Sequence, residues 1–237
     1  MIHLILTILL GPILIIQGIW VRRKTIVLPE PQGCRSGIKG SGKKLSLLII
    51  GDSAAAGVGT EHQDYALSGQ LVSILSKNFC VNWELKAQTG HKTQDTINQI
   101  KQVDRKNIDI IITSLGVNDV TANLSLTQWL NNQNQLFNLC RHKFKFKKMI
   151  VTALPPMSKF PALPQPLRWY LGRRSRDFNL ALKQQVSLSD AAYFLSLDMP
   201  DDKNLMASDG FHPGEKVYKY WAKHVADVIN QIHNAQD

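Results

Sequence analysis

Three residue types that together perform acyl transfer stand in suggestive contexts in this chain. Ser53 follows an apolar run in "LLIIGDSAAAGVG", and Asp209 and His212 share the stretch "SDGFHP". A serine hydroxyl is a poor nucleophile until a base takes its proton. His212 is suited to take that proton and later return it to a leaving alcohol. Asp209, three residues earlier, can hold the imidazole and stabilise its charged form. A tight turn through Gly210 would let the two side chains meet, and Pro213 would start the following helix. The tetrahedral intermediate carries a negative oxygen, for which the backbone N–H groups of Ser53 and Gly90 and the side-chain amide of Asn118 are candidate donors. Losing one such donor typically costs roughly 3–4 kcal/mol of transition-state stabilisation. Each residue also has a plain structural use. Asp52 and Ser53 are good helix caps, Gly90 suits a turn, Asn118 and Asp119 suit another cap, and a single histidine is often structural.

These residues need a scaffold that gathers them, and the apolar pattern supplies one. Strand-like runs recur at 45–50, 81–87, 108–116, 148–155 and 191–197. Helical stripes lie between them, over 65–75, 126–139, about 168–186 and about 216–232. Strands alternating with helices imply a parallel sheet covered on both faces. In such sheets the chemistry collects beyond the carboxyl ends of the strands. Ser53 follows the first run, Gly90 in "AQTGHKT" the second and Asn118 in "LGVND" the third, while Asp209 and His212 precede the last helix.

The chain of 237 residues carries a formal net charge of +10. Residues 1–44 hold seven basic residues against one acid, Glu30. The basic excess thus lies beside the apolar run Ile2 to Val21, a pattern of membrane surfaces more than of nucleic acid. The run just reaches the length of a bilayer span, and its charge follows as "VRRK" rather than preceding it, unlike a cleaved signal peptide. Residues 1–21 are therefore expected to be a membrane anchor, with the body on the cytoplasmic side. A periplasmic or secreted body follows if the segment is a signal peptide instead. Residues 22–44, rich in Pro, Gly and Lys, read as a flexible linker, and residues 45–237 as the catalytic domain. Cys34, Cys80 and Cys140 have neither disulfide nor metal-like spacing. The basic run "RHKFKFKK" at 141–148 falls between a helix and a strand, where solvated lysines are ordinary, so no nucleic-acid partner is expected.

Taken in order, "GDSAAAG" with Ser53, "TGHKT" with Gly90, "GVND" with Asn118 and "DGFHP" with Asp209 and His212 resemble the four blocks of the SGNH hydrolases, the GDSL-type esterase/lipase superfamily. The resemblance covers residues 51 to 213. It departs from the name motif at Ala54, where that motif has leucine, and no G-x-S-x-G elbow is present. The resemblance implies an α/β, three-layer, flavodoxin-like fold with a central parallel sheet of about five strands. It also implies hydrolysis of acyl esters without metal or other cofactor, with Ser53, His212 and Asp209 as triad and Ser53, Gly90 and Asn118 as oxyanion hole.

The family leaves the substrate open among lysophospholipids, other short or medium acyl esters and acetylated sugars. It leaves open transfer of the acyl group in place of hydrolysis, and a tethered binding module without turnover is the non-enzymatic alternative. The segment Leu154 to Arg174 follows the fourth strand run and should border the site. Its five prolines predict a stiff, extended path. Its apolar residues make it either a rim for an acyl chain, with Phe160 and Trp169 as candidate substrate contacts, or a loop packed on the body.

Overall fold

A strand buried on both faces must be apolar at consecutive positions, and Lys43–Gly51 (β2) is such a strand, with Leu45 and Leu47 to Ile50 all buried. In the computed structural model, which describes residues 2–197 and 202–234 and the side chains of these from residue 10 onward except 203, β2 is central. Beside it run Ser36–Lys39 (β1), Phe79–Ala87 (β3), Ile110–Ser114 (β4), Lys148–Thr152 (β5) and Ala192–Leu195 (β6). The sheet order is β1-β3-β2-β4-β5-β6, with β1 antiparallel to β3 and every other pair parallel. The sheet has six strands rather than the expected five. The extra edge strand, "SGIK", has one partly buried and three exposed residues, so it carries no apolar signal.

Because side chains alternate across a strand, β2 divides its residues between two cores. Leu45, Leu47 and Ile49 join Leu67–Leu75 (α3) and Glu215–Asn234 (α8) on one face. Leu48 and Ile50 join Thr93–Lys101 (α4), Leu126–Phe144 (α6) and Leu167–Val186 (α7) on the other. The result is the three-layer α/β fold anticipated from the alternating pattern. Helix α4 had little apolar signal because only two of its nine residues, Ile97 and Ile100, are large and apolar.

The N-terminal stretches differ from expectation. Among the described residues no helix is long and apolar enough to cross a membrane, so the reading of residues 2–21 as an anchor is not supported. Ile2–Lys24 is a helix (α1) whose described part lies against the body. Leu14 and Val21 are buried in the same core as α7. The Gln17 side chain donates to the Gln165 carbonyl at 2.7 Å and accepts from the Leu167 N–H at 3.0 Å. Residues 22–44, expected as a flexible linker, are also built into the body. They contribute the end of α1, all of β1 and the start of β2, and Gln32 forms a bridge with His62. The rim segment is only partly extended, since α7 begins at Leu167 and takes up Trp169 and both following arginines.

Candidate active site

Strand β2 ends at Gly51, where any side chain would strike the Ser114 carbonyl of β4 and the Ala55 methyl. The missing Cβ lets the chain turn at once into Ser53–Ala56 (α2). Asp52 caps this short helix, its carboxylate accepting from the Ala54 N–H at 3.1 Å. Ala55 and Ala56 are fully buried, so their small size sets the depth at which α2 seats. Burial pushes the Asp52 carboxyl up to about 7, against the Ala54 hydrogen bond and the nearby His212, which favour its ionised form.

Ser53 is thereby held at the mouth of the sheet, with its Oγ 2.8 Å from His212 Nε2. His212 Nδ1 lies 2.5 Å from Asp209 Oδ2. The other oxygen of Asp209 accepts the N–H groups of Phe211 at 2.9 Å and His212 at 3.0 Å, which closes the "SDGFH" loop on its own carboxylate. The Asp209 side chain is 1% exposed. Burial alone would raise its carboxyl, but the hydrogen bonds from His212 and Phe211 and the His212 charge outweigh it, holding the group below the ordinary carboxylate range. Gly59 (φ 104°) passes beneath this loop, where a Cβ would collide with the Pro213 carbonyl. Tyr218 of α8 donates to the Val58 carbonyl at 2.7 Å and ties the two segments together below the site. Burial raises that phenol well above its usual value, and the negative Asp52 and Asp209 add to the effect.

The remaining blocks meet at the ends of β3 and β4. Val117–Thr121 (α5) starts directly after Gly116 and carries Asn118. Asn118 Nδ2 donates one hydrogen to the His91 carbonyl at 2.9 Å, binding the third block to the second. Asp119, fully buried, accepts from both the N–H and the hydroxyl of Thr93, at 3.1 and 3.0 Å, and so fixes the start of α4. Burial raises the Asp119 carboxyl against these hydrogen bonds. Gly90 occupies the exposed turn between these anchors with φ 82°, and the space where its Cβ would stand is open.

Three contributors were not singled out from sequence. Glu30 accepts from the N–H and hydroxyl of Thr89, at 2.7 and 2.8 Å, immediately before Gly90. Arg35 pairs with Glu30 at 2.6 Å and donates to the Ala87 carbonyl at the end of β3. Burial would raise the Glu30 carboxyl, but the Thr89 hydrogen bonds and Arg35 outweigh it and leave it lowered. The third is Asn179 of α7, whose amide bridges the N–H and carbonyl of Leu154 after β5, at 2.8 and 2.9 Å. A lone Glu or Asn gives no sequence signal when its partner is 25 to 59 residues away.

Two recesses border Ser53 and Ala54. A small apolar one of about 60 Å³ is lined by Ser53, Leu154, Phe160, Phe211 and His212 among others. Phe160 is buried, and its ring meets that of Phe211 edge-on at 4.9 Å. Trp169, 39% exposed, does not reach this recess and lines instead a cleft of about 710 Å³ with Arg173, Arg176 and Trp221. Among the described residues no group of three or more His, Cys, Asp or Glu side chains is placed to hold a metal ion. The three cysteines are free, and burial pushes the Cys140 thiol up to about 12.

The model of the GDSL-like lipase/acylhydrolase family matches residues 49–220, which contain Ser53, Gly90, Asn118, Asp209 and His212 but not Glu30 or Arg35. The chain belongs to that family. It is accordingly an ester-hydrolysing enzyme with the fold of the SGNH hydrolases. Similar solved structures agree in fold. A carbohydrate esterase family 2 enzyme with a carbohydrate-binding domain from Corynascus thermopiles (Myceliophthora fergusii) has a TM-score of 0.64 at 15% identity, covering 81% of this chain and 67% of that one. The psychrotrophic esterase EstA from Pseudoalteromonas sp., in a structure inhibited by monoethylphosphonate, has a TM-score of 0.62 at 18% identity, covering 80% and 98%. A family 3 carbohydrate esterase from Clostridium thermocellum has a TM-score of 0.61 at 17% identity, covering 82% and 99%. No curated protein sequence matches.

Proposed function

We propose that this hydrolase is a serine esterase that cleaves acyl esters, such as lysophospholipids or other short and medium acyl esters, with Ser53 as nucleophile. The observation that carries the reading is the continuous hydrogen-bonded chain Asp209–His212–Ser53, at 2.5 and 2.8 Å. Ser53 Oγ attacks the ester carbonyl while His212 Nε2 takes its proton. The ionised Asp209 steadies the imidazolium that forms. The carbonyl oxygen, now negative, is met by the N–H groups of Ser53 and Gly90 and by the second hydrogen of Asn118 Nδ2. His212 returns the proton to the leaving alcohol, and the acyl group stays on Ser53. Water then repeats the sequence with His212 as base, releasing the acid and restoring the serine.

The small recess beside Ser53, walled by Leu154, Phe160 and Phe211, suits the first carbons of the acyl group. Its size also supports a second reading, removal of acetyl groups from sugars. The cleft lined by Trp169, Trp221 and arginines would then receive the carbohydrate, as such aromatic and polar linings suit sugar rings. The test is hydrolysis of p-nitrophenyl esters from acetate to palmitate, with fluorophosphonate labelling in parallel. Turnover and labelling that both vanish in Ser53→Ala support the esterase, and an optimum at acetate favours the deacetylase reading. A Ser53→Ala variant with unchanged turnover would overturn the assignment. A product carrying the acyl group on an added alcohol, in place of free acid, would convert it to an acyltransferase.

A further inference from the structure

Helix α1 precedes the family match at residue 49, yet it forms a wall of an apolar groove that borders the candidate active site. The groove holds about 590 Å³, within the range of small-molecule sites. Gly11, Leu14, Ile15, Gly18 and Arg22 line it from α1, and Leu163, Leu167, Tyr170 and Leu171 from the rim segment and α7. Asn118 and Phe211 line it too. Asn118 is the proposed oxyanion donor, and Phe211 also walls the recess beside Ser53. The groove and the catalytic centre therefore share two residues.

The helix face turned to the groove explains its depth. Positions 11, 14, 15, 18 and 22 recur at helical spacing on one side of α1 and extend about 16 Å along it. Two of them are glycines, each with nothing within 4 Å of the place a Cβ would occupy. A glycine inside a helix costs about 1 kcal/mol relative to alanine, and here it leaves the wall hollow. Gln17, adjacent to that face, fixes α1 to the start of α7 through its two hydrogen bonds.

We propose that this groove binds the aliphatic chain of the acyl group, and that α1 sets the chain length the enzyme accepts. An apolar trough with no acidic residue among its lining, and with Asn118 in its wall, fits a hydrocarbon chain attached to the reacting carbonyl. A short acyl group needs only the recess at Phe160 and leaves the trough empty. The assignment rests on the serine esterase reading and adds a substrate class to it.

The experiment fills the trough from α1 in the full chain. Gly18→Leu places a branched side chain in open space and raises helix propensity. Its expected effect is a fall of at least about tenfold in kcat/KM for the p-nitrophenyl dodecanoate ester, with the acetate ester unchanged. Ile16→Leu, at a position 66% exposed and outside the groove, should leave both rates as they are. Binding of dodecanoic acid by the Ser53→Ala protein is measured separately and should weaken at least about tenfold when Gly18→Leu is added. Equal losses on both esters, or unaltered dodecanoate turnover and binding, would overturn the groove assignment. If the parent protein hydrolyses no ester and takes no fluorophosphonate, the esterase reading fails by itself. The dodecanoic acid measurement then still decides whether the trough holds an aliphatic chain.

Discussion

Replacing Asp209 by asparagine tests the proposed proton relay at nearly constant shape. The carboxylate now does two things. One oxygen accepts the backbone N–H groups of Phe211 and His212, and the other accepts a hydrogen bond from His212 Nδ1. Asparagine can keep the first role through its carbonyl oxygen, so the loop should retain its form. Its amide nitrogen must then face Nδ1, and an amide nitrogen can only donate. The imidazole is driven to the tautomer with its proton on Nε2, the atom 2.8 Å from Ser53 Oγ. A nitrogen that carries a proton cannot accept one, so the base is lost although every side chain keeps its place. The expected loss in kcat is about 10⁴-fold, or about 5.5 kcal/mol at the transition state. The assay is steady-state hydrolysis of p-nitrophenyl acetate together with the rate of fluorophosphonate labelling, since both require deprotonation of Ser53. Thermal unfolding serves as the control for shape. A variant that folds normally and loses less than tenfold in both rates would refute the relay.

Further outcomes follow from other contacts. Asn118→Ala should lower kcat by about 10²–10³ with little change in KM, and a pure KM effect would make Asn118 a substrate contact only. Glu30→Ala removes the acceptor for both Thr89 donors. It should lower kcat by about tenfold, less than Asn118→Ala, because Asn118 and Asp119 still hold the other side of the turn; unchanged kcat would mean that the clamp does not position Gly90. Asp52, raised from 3.8 to about 7, binds a proton in the folded state that the unfolded chain has already released between those values. Its contribution to stability therefore falls as pH rises from about 4 to about 7, by at most about 4 kcal/mol. Asp52→Asn should flatten that part of the stability curve measured by urea unfolding, and a slope identical to the parent would remove Asp52 from the account.

Much of the site is legible in the sequence because each part is local to the end of one strand. The apolar run of β2 ends in "GDS", that of β3 leads to Gly90 and that of β4 to Asn118, while Asp209 and His212 are three residues apart. Once a parallel sheet is inferred from alternating runs, the carboxyl ends of its strands must lie side by side. The pairing of His212 with Ser53 across 159 residues then follows from topology. Phe160, expected to border the site from its place after β5, lines the recess beside Ser53, whereas Trp169 is carried by α7 to a different cleft.

The remaining features are long-range, and no local pattern records them. An apolar helix has the same composition whether it lies in lipid or against protein. Only the tertiary structure shows Gln17 meeting Leu167, 150 residues away, and the face of α1 turned to the body. The stretch before β2 has the Pro, Gly and Lys content of a linker, yet it supplies an edge strand whose order comes from hydrogen bonds to β3. It also supplies Glu30, which reaches Thr89 across 59 residues. The sequence by itself determined the three-layer fold and the residues at the strand ends, because periodicity and strand-end chemistry are local. The docking of residues 10–39 was decided by the tertiary structure alone, because its energy lies in contacts between distant segments.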